Sequence, residues 1–243
     1  MNELYIVGIG PGAKNGMTFE AAASIEQSDI IVGYTKYVDL LRPHYPDKEY
    51  FQTPMLGEVE RCEKALELAE SGKTVAVICS GDSGVYGMAG LIYELSVKHE
   101  KVNIIPVAGV SAAMSGAALL GAPLGHDFAV ISLSDMLIPW ESIEKRLVFA
   151  AQADFCLCIY NPASNRRRDY LLRACDILLK LLPSERPCGI SRNIGREGES
   201  SELLTLGELR DTPVDMFCTV FIGNSQTRVI NGKMVTPRGY KNV

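Results

Sequence analysis

The sequence predicts an α/β protein, two α/β domains forming a cleft. Three observations predict it. Short apolar runs at 4–7, 75–79 and 102–107 end in glycine turns, as strands buried on both faces of a parallel sheet do. Between them lie stretches with apolar residues at helical spacing. At Gly121-Ala122-Pro123-Leu124-Gly125 this rhythm stops, and beyond it the rhythm starts again. That stretch is read as the boundary between an N-terminal domain, 1–122, and a C-terminal domain, 123–243. The 243 residues, 47% of them hydrophobic, suffice for two cores. A cleft between two such halves is a usual place for a small ligand.

The first strand, 4–7, enters Gly8-Ile9-Gly10-Pro11-Gly12-Ala13. Gly8, Gly10 and Ala13 fit the dinucleotide spacing G-x-G-x-x-A. Pro11, however, removes an amide that would face a phosphate. No acid closes the next strand either: Asp29 precedes the run 30–32 and Tyr34 follows it. The loop is therefore expected to pack beside a ligand without cradling a pyrophosphate. Thr18 caps a helix through Gln27. The second strand, 30–32, leaves as a polar aromatic loop, 33–37, and Pro43 and Pro46 mark irregular chain. From Glu58, Val59, Cys62, Leu66 and Ala69 recur at helical spacing, and Gly72 stops that helix.

The stretch 75–87, VAVICSGDSGVYG, organises the N-terminal half. It runs from a buried strand into Ser80-Gly81-Asp82-Ser83-Gly84, a turn with two glycines and a carboxylate. Such a turn at the carboxyl end of a parallel strand is where an open α/β sheet binds small molecules, and it is also an ordinary strand-to-helix connection. A helix with Leu91, Ile92 and Leu95 inward follows, then the strand 102–107 and the turn Ala108-Gly109-Val110-Ser111-Ala112. Ser111 caps a helix through Leu120. The small residues of that helix permit close packing on a sheet, and equally leave room for a ligand over the strand ends.

In the C-terminal half strands are expected at 128–133, 155–160, 187–191, 202–205 and 216–222, and helices at 141–152 and 165–182. The last strands lie close in sequence, which predicts an antiparallel edge. Cys156 and Cys158 share one strand face and are read as packing residues, because no second pair at ligand spacing completes a zinc or iron–sulfur site.

Net charge of −5 argues against a broad nucleic-acid surface. Seven scattered cysteines read as reduced thiols of a cytoplasmic protein. The opening MNELYIVGIGPG does not read as a signal peptide, and no run of about 18 apolar residues suggests a membrane span.

The glycine turns at 8–12, 81–82 and 109–112, followed by Tyr160-Asn161-Pro162, resemble the tetrapyrrole methylases in kind and order. More specific are His126-Asp127-Phe128, Ile131-Ser132-Leu133-Ser134-Asp135 with Pro139-Trp140, and Arg192-Asn193-Ile194-Gly195-Arg196-Glu197-Gly198-Glu199. Together these resemble the branch that methylates C17 of precorrin-3B or cobalt-factor III and contracts the ring in vitamin B12 synthesis. The chain departs from the wider superfamily at Ser83 and Ala108, where proline is frequent, and at Tyr34, near the place of an acid in the sirohaem branch. The resemblance implies the class III methyltransferase fold, S-adenosyl-L-methionine as cofactor, a tetrapyrrole substrate and a homodimer. It implies that Pro11, Ser80, Gly81, Asp82, Val85, Tyr86, Ser111 and Ala112 touch the cofactor. Leu133, Asn161, Gly189 and Thr219 would close over the adenine.

A tetrapyrrole carries many carboxylates, which guanidinium and ammonium groups recognise. Lys36, Arg192 and Arg196, expected in loops at strand ends, are the candidate partners, with ordinary surface charge as the other reading. Arg166-Arg167-Arg168 is read as a solvated helix face. Ring contraction moves protons, so an acid–base group helps. Asp135 is the first candidate and Ser134 the second, since both follow a strand, whereas His126 and Asp127 precede it. Asp135 also fits a turn or cap role. Two other classes compete: a nucleotide-dependent oxidoreductase, disfavoured by Pro11 and the missing acid, and a noncatalytic tetrapyrrole carrier, which would not need the cofactor turns.

Overall fold

The computed structural model describes residues 2–164 and 166–241. The chain forms two compact units, Met1–Ala112 and Ala113–Val243. The division falls earlier than the glycine-rich stretch at 121–125. The helix that precedes that stretch buries Ala113, Ala117 and Leu120 with Cys158, Phe221 and Met234, all residues of the second unit.

The first unit is a five-stranded parallel sheet made of β1 (Glu3–Gly8), β2 (Ile30–Tyr34), β3 (Glu49–Thr53), β4 (Val75–Cys79) and β5 (Asn103–Val107), in the order β3-β2-β4-β1-β5. Alternation along β1 divides its two faces. Leu4 and Ile6 pack with α3 (Glu58–Glu70) and α4 (Ala89–Ser96); Tyr5 and Val7 pack with α1 (Phe19–Gln27) and α2 (Thr35–Leu41). Both faces are covered, which is why β1 and β4 read as unbroken apolar runs. The helix after β1 and the helix after β4 lie on opposite faces, so the connections leave these two neighbouring strands over opposite sides of the sheet. Ligands of open α/β sheets bind beyond the carboxyl ends at such a place.

Local signals account for some element ends. The Ala21 amide donates to Thr18 Oγ1 at 3.1 Å, capping α1. Gly72, at φ 98°, follows the last turn of α3 in the left-handed region. Three expectations are corrected. The segment 33–37 is not a loop: Tyr34 ends β2 and Thr35 opens α2, because Val38 and Leu41, three residues apart, both reach the core. The stretch after Pro46 holds β3, a parallel edge strand with a mixed burial pattern and so a weak apolar signal. Val59 is 51% exposed. Arg61 is instead buried on α3, its Nε donating to Thr53 Oγ1 at 3.0 Å and its Nη2 to the Pro54 carbonyl at 3.3 Å.

The second unit holds most of α5 (Ala112–Leu120), then β6 (Gly121–Ala122), β7 (Phe128–Ser132), α6 (Trp140–Gln152), β8 (Cys156–Tyr160), α7 (Tyr170–Leu178), β9 (Pro187–Arg192), β10 (Ser200–Thr205), α8 (Leu206–Arg210), β11 (Cys218–Ile222), β12 (Arg228–Ile230) and β13 (Lys233–Val235). Its main sheet has the order β10-β9-β11-β8-β7. β7 and β8 are parallel, β11 is antiparallel to both β8 and β9, and β10 is antiparallel to β9. The expected antiparallel edge is present in β10 alone: β11, the other late strand, is antiparallel to its neighbours but lies inside the sheet between β8 and β9. A small sheet, β12-β13-β6, and the short helix α8 were not anticipated; α8 is announced by the Thr205–Glu208 capping box. The helix expected over 165–182 is shorter. Its first residue, Asn165, lies outside the described residues, and Ser164 and Arg167 exchange backbone hydrogen bonds at 3.2 and 3.0 Å, a turn that delays α7 to Tyr170. No helix among the described residues is long and apolar enough to cross a membrane.

The Tyr45 hydroxyl is buried and has no hydrogen-bond partner among the described residues, and such a group costs about 1–3 kcal/mol. Tyr45→Phe is therefore expected to raise stability by about 1 kcal/mol, read from the urea midpoint at unchanged slope. All seven cysteines are buried free thiols. Burial pushes Cys62 up to about 12 and Cys79 up to about 11, and raises Cys158, Cys175 and Cys188 as well. The thiolate is the reactive form. Native protein is expected to react with almost no aromatic disulfide reagent at pH 8, and guanidinium-unfolded protein with seven equivalents.

Candidate active site

The carboxyl edge of the first sheet is built from backbone. The loops after β1, β4 and β5 meet at Gly8, Gly81 and Gly109. A Cβ on Gly109 would sit 2.1 Å from the Gly81 carbonyl oxygen and 2.5 Å from that of Gly8. One on Gly8 would sit 2.7 Å from the Gly109 nitrogen. No side chain fits at either position, so the sequence places glycine there and the three chains touch. Gly10 and Gly81 exchange backbone hydrogen bonds at 3.0 and 2.8 Å.

Asp82 clamps this arrangement. Its Oδ1 accepts from the Gly84 amide at 2.8 Å and its Oδ2 from the Gly109 amide at 2.9 Å. The carboxylate therefore holds two loops in register, besides whatever capacity it keeps for a ligand. Ser83 adds a second tie, its hydroxyl donating to the Val107 carbonyl at 3.3 Å. Val85 and Tyr86 stand exposed beside the turn, Tyr86 at φ 54°. Ser80, Pro11, Ser111 and Ala112 are half-buried around it. Thus the first-unit residues singled out from sequence gather at one strand-end edge. Lys36 lies on the same sheet's carboxyl side, but on the exposed first turn of α2 rather than in a loop.

In the second unit β7, β8 and β9 run in one direction, so their carboxyl ends share an edge. Ser134 and Asp135 follow β7, Asn161 follows β8, and Arg192 ends β9. Thr219, paired with Ser191 near the start of antiparallel β11, lies at that edge too. Asn161, at φ 52°, donates from Nδ2 to Ser132 Oγ at 2.9 Å, and the Ser134 amide donates to the same oxygen at 3.1 Å. Leu133 is fully buried in the core of this unit, so its side chain does not reach the edge. Gly189 sits mid-strand, where a Cβ would meet Leu120 at 2.6 Å; the packing of α5 explains that glycine. Arg192 hydrogen-bonds Cys218 Sγ at 3.2 Å and pairs with Glu202 at 3.6 Å, and Arg196 lies over the Phe217 ring at 5.6 Å.

The sequence reading missed Arg167 and Tyr170. Arg166 and Arg168 are solvated as expected, but Arg167 turns inward, with a side chain 18% exposed. Its Nε pairs with Asp135 Oδ1 at 3.1 Å and its Nη1 donates to Ser134 Oγ at 2.9 Å. Tyr170 donates its hydroxyl to Asp135 Oδ2 at 2.5 Å, and that hydrogen bond, ahead of burial, raises the phenol above its ordinary value. Among the described residues no group of three or more His, Cys, Asp or Glu is placed to hold a metal ion.

Residues 3–210 match the model of the tetrapyrrole (corrin/porphyrin) methylases. The chain belongs to the tetrapyrrole methylase family. This methylase is 47% identical to a probable cobalt-factor III C(17)-methyltransferase of Salmonella typhimurium over 98% of its own length and 99% of the relative's. It is 38% identical to a precorrin-3B C(17)-methyltransferase of a Sinorhizobium species, over 98% and 96%. The crystal structure of the methyltransferase CobJ superposes on it with a TM-score of 0.89 at 35% identity, covering 96% of this chain and 99% of that one. The expected α/β architecture is that of the family.

For this methylase the backbone junction makes a sharp stability prediction. Gly109→Ala drives a methyl group into two carbonyl oxygens, and is expected to cost about 3 kcal/mol or more. Val110→Ala, at an exposed neighbour, is expected to stay within about 0.5 kcal/mol of the parent. Urea unfolding of the two variants checks both values.

Proposed function

We propose that this methylase transfers a methyl group from S-adenosyl-L-methionine to C17 of cobalt-factor III, with contraction of the macrocycle, in cobalamin biosynthesis. The observation that carries the reading is the near end-to-end match to relatives named for that methyl transfer. The higher identity to the cobalt-factor III relative, 47% against 38%, favours the cobalt-bearing substrate over precorrin-3B.

The residues present fit the cofactor. A cradle in which Gly8 and Gly109 admit no Cβ brings backbone amides and carbonyls against a ligand, and Ser80, Asp82 and Ser111 supply polar groups for its amino acid and ribose portions. When bound, the sulfonium supplies an activated methyl group for in-line displacement. The chain's own work is then placement and exclusion of water. Asp82 keeps the β4 and β5 loops in register, Pro11, Val85 and Tyr86 wall the site, and Ala112 leaves it open. Lys36, Arg192 and Arg196 pair with substrate carboxylates. Asp135, with Ser134 beside it, moves the proton that ring contraction requires. The protein works as a homodimer in the cytoplasm, and equilibrium sedimentation at monomer mass would contradict the first of these.

The test is incubation with methyl-labelled S-adenosyl-L-methionine and cobalt-factor III. Label on the pigment is expected, with precorrin-3B a poorer acceptor. Unlabelled pigment, or nicotinamide binding in place of S-adenosyl-L-methionine binding, would overturn the reading. Asp82→Ala is expected to weaken S-adenosylhomocysteine binding about 5- to 150-fold by calorimetry while the protein stays folded, since losing the carboxylate as a ligand partner and as the tie to the Gly109 amide costs about 1–3 kcal/mol.

A further inference from the structure

We infer that Arg167 is a positioning residue for the acid–base pair: it bridges Ser134 and Asp135, and with Tyr170 it fixes the carboxylate in one orientation. The inference rests on the reading of Asp135 as the group that moves the proton. Each oxygen of the carboxylate has its own donor, Arg167 Nε at 3.1 Å on Oδ1 and Tyr170 at 2.5 Å on Oδ2. The same guanidinium reaches Ser134 Oγ through Nη1 at 2.9 Å. Two candidate groups are thus tied to one planar fork, which an ammonium could not imitate. The donors are themselves held. The Ser164–Arg167 backbone pair fixes the turn that carries Arg167. Tyr170 packs edge-on to Trp140 at 4.8 Å between ring centroids, and Arg173 lies over both rings, at 4.0 and 5.1 Å.

The arrangement has little stabilising value, because the Asp135 side chain is 33% exposed and partly solvated ion pairs contribute about 0–1 kcal/mol. A carboxylate without these donors would sample other rotamers at the strand end. Misplacing a reacting group by about 1 Å can cost on the order of 100-fold in rate. Orientation is therefore what the pair supplies.

The experiment compares D135N, R167A, R167K and Y170F in the whole protein, with cobalt-factor III and S-adenosyl-L-methionine as substrates. For R167A the expected result is a fall in kcat of about 100-fold, with KM for the pigment and the S-adenosylhomocysteine Kd within about twofold and the thermal midpoint nearly unchanged. Added guanidinium chloride at low concentration restores part of the kcat of R167A. R167K stays well below the parent, and Y170F loses less kcat than R167A, again at unchanged KM. A merely structural arginine would move the thermal midpoint and show no rescue, and an arginine that binds a substrate carboxylate would raise KM at constant kcat; either result overturns the inference. If R167A does not fold, folded R167K with parental kcat overturns it as well. D135N at parental kcat defeats the reading of Asp135 and this inference with it. An impaired D135N beside R167A and R167K at parental kcat defeats this inference alone.

Discussion

Three backbone turns in direct contact constrain the first unit more than any side chain does. At Gly8 and Gly109 the chains approach until no Cβ fits between them, and Gly81, at φ 69°, supplies the carbonyl oxygen that closes the junction. A junction of this kind is strong because it cannot be repacked: a carbonyl oxygen does not rotate away as a leucine does. It also creates an electrostatic demand, since amides at the junction need acceptors that water is poorly placed to provide. The Asp82 carboxylate meets that demand through Oδ2, which accepts from the Gly109 amide, while Oδ1 accepts from the exposed Gly84 amide of its own turn. The strand-end surface of this unit is consequently made of rigid backbone, with Val85 and Tyr86 as its apolar fringe.

The second unit reaches a similar result with a different sheet. Antiparallel β11 lies between β8 and β9, and it allows those two strands to run the same way. Together with β7 they deliver three loops to one edge. There the organisation comes from side chains: Asn161 and the Ser134 amide converge on Ser132, and Arg167 and Tyr170 converge on Asp135. Backbone hydrogen bonds supply rigidity in the first unit, whereas partly solvated polar pairs supply direction in the second, where their contribution to stability is small.

Family membership gives these two constructions a common meaning. A reaction that draws its driving force from an activated methyl donor asks the protein chiefly for geometry and dryness. The buried thiols fill cores as small apolar groups do.

Much of this was legible in the residues alone. Buried runs identified the parallel strands, Thr18 and Gly72 marked the ends of helices, and the order of motifs pointed to the family. These features are local: a period, a cap or a left-handed glycine acts within a few residues of its own position. What only the tertiary structure decided is long-range. Val59 faces solvent while Arg61 is buried, because Thr53 and Pro54 offer the guanidinium its acceptors. The glycine at 189 answers to Leu120. Of three consecutive arginines, the middle one turns inward because Asp135 and Ser134, distant in sequence, stand where its fork can meet them. A sequence specifies its own periodicities, but the partner that gives a charged side chain its direction exists only once the chain has folded.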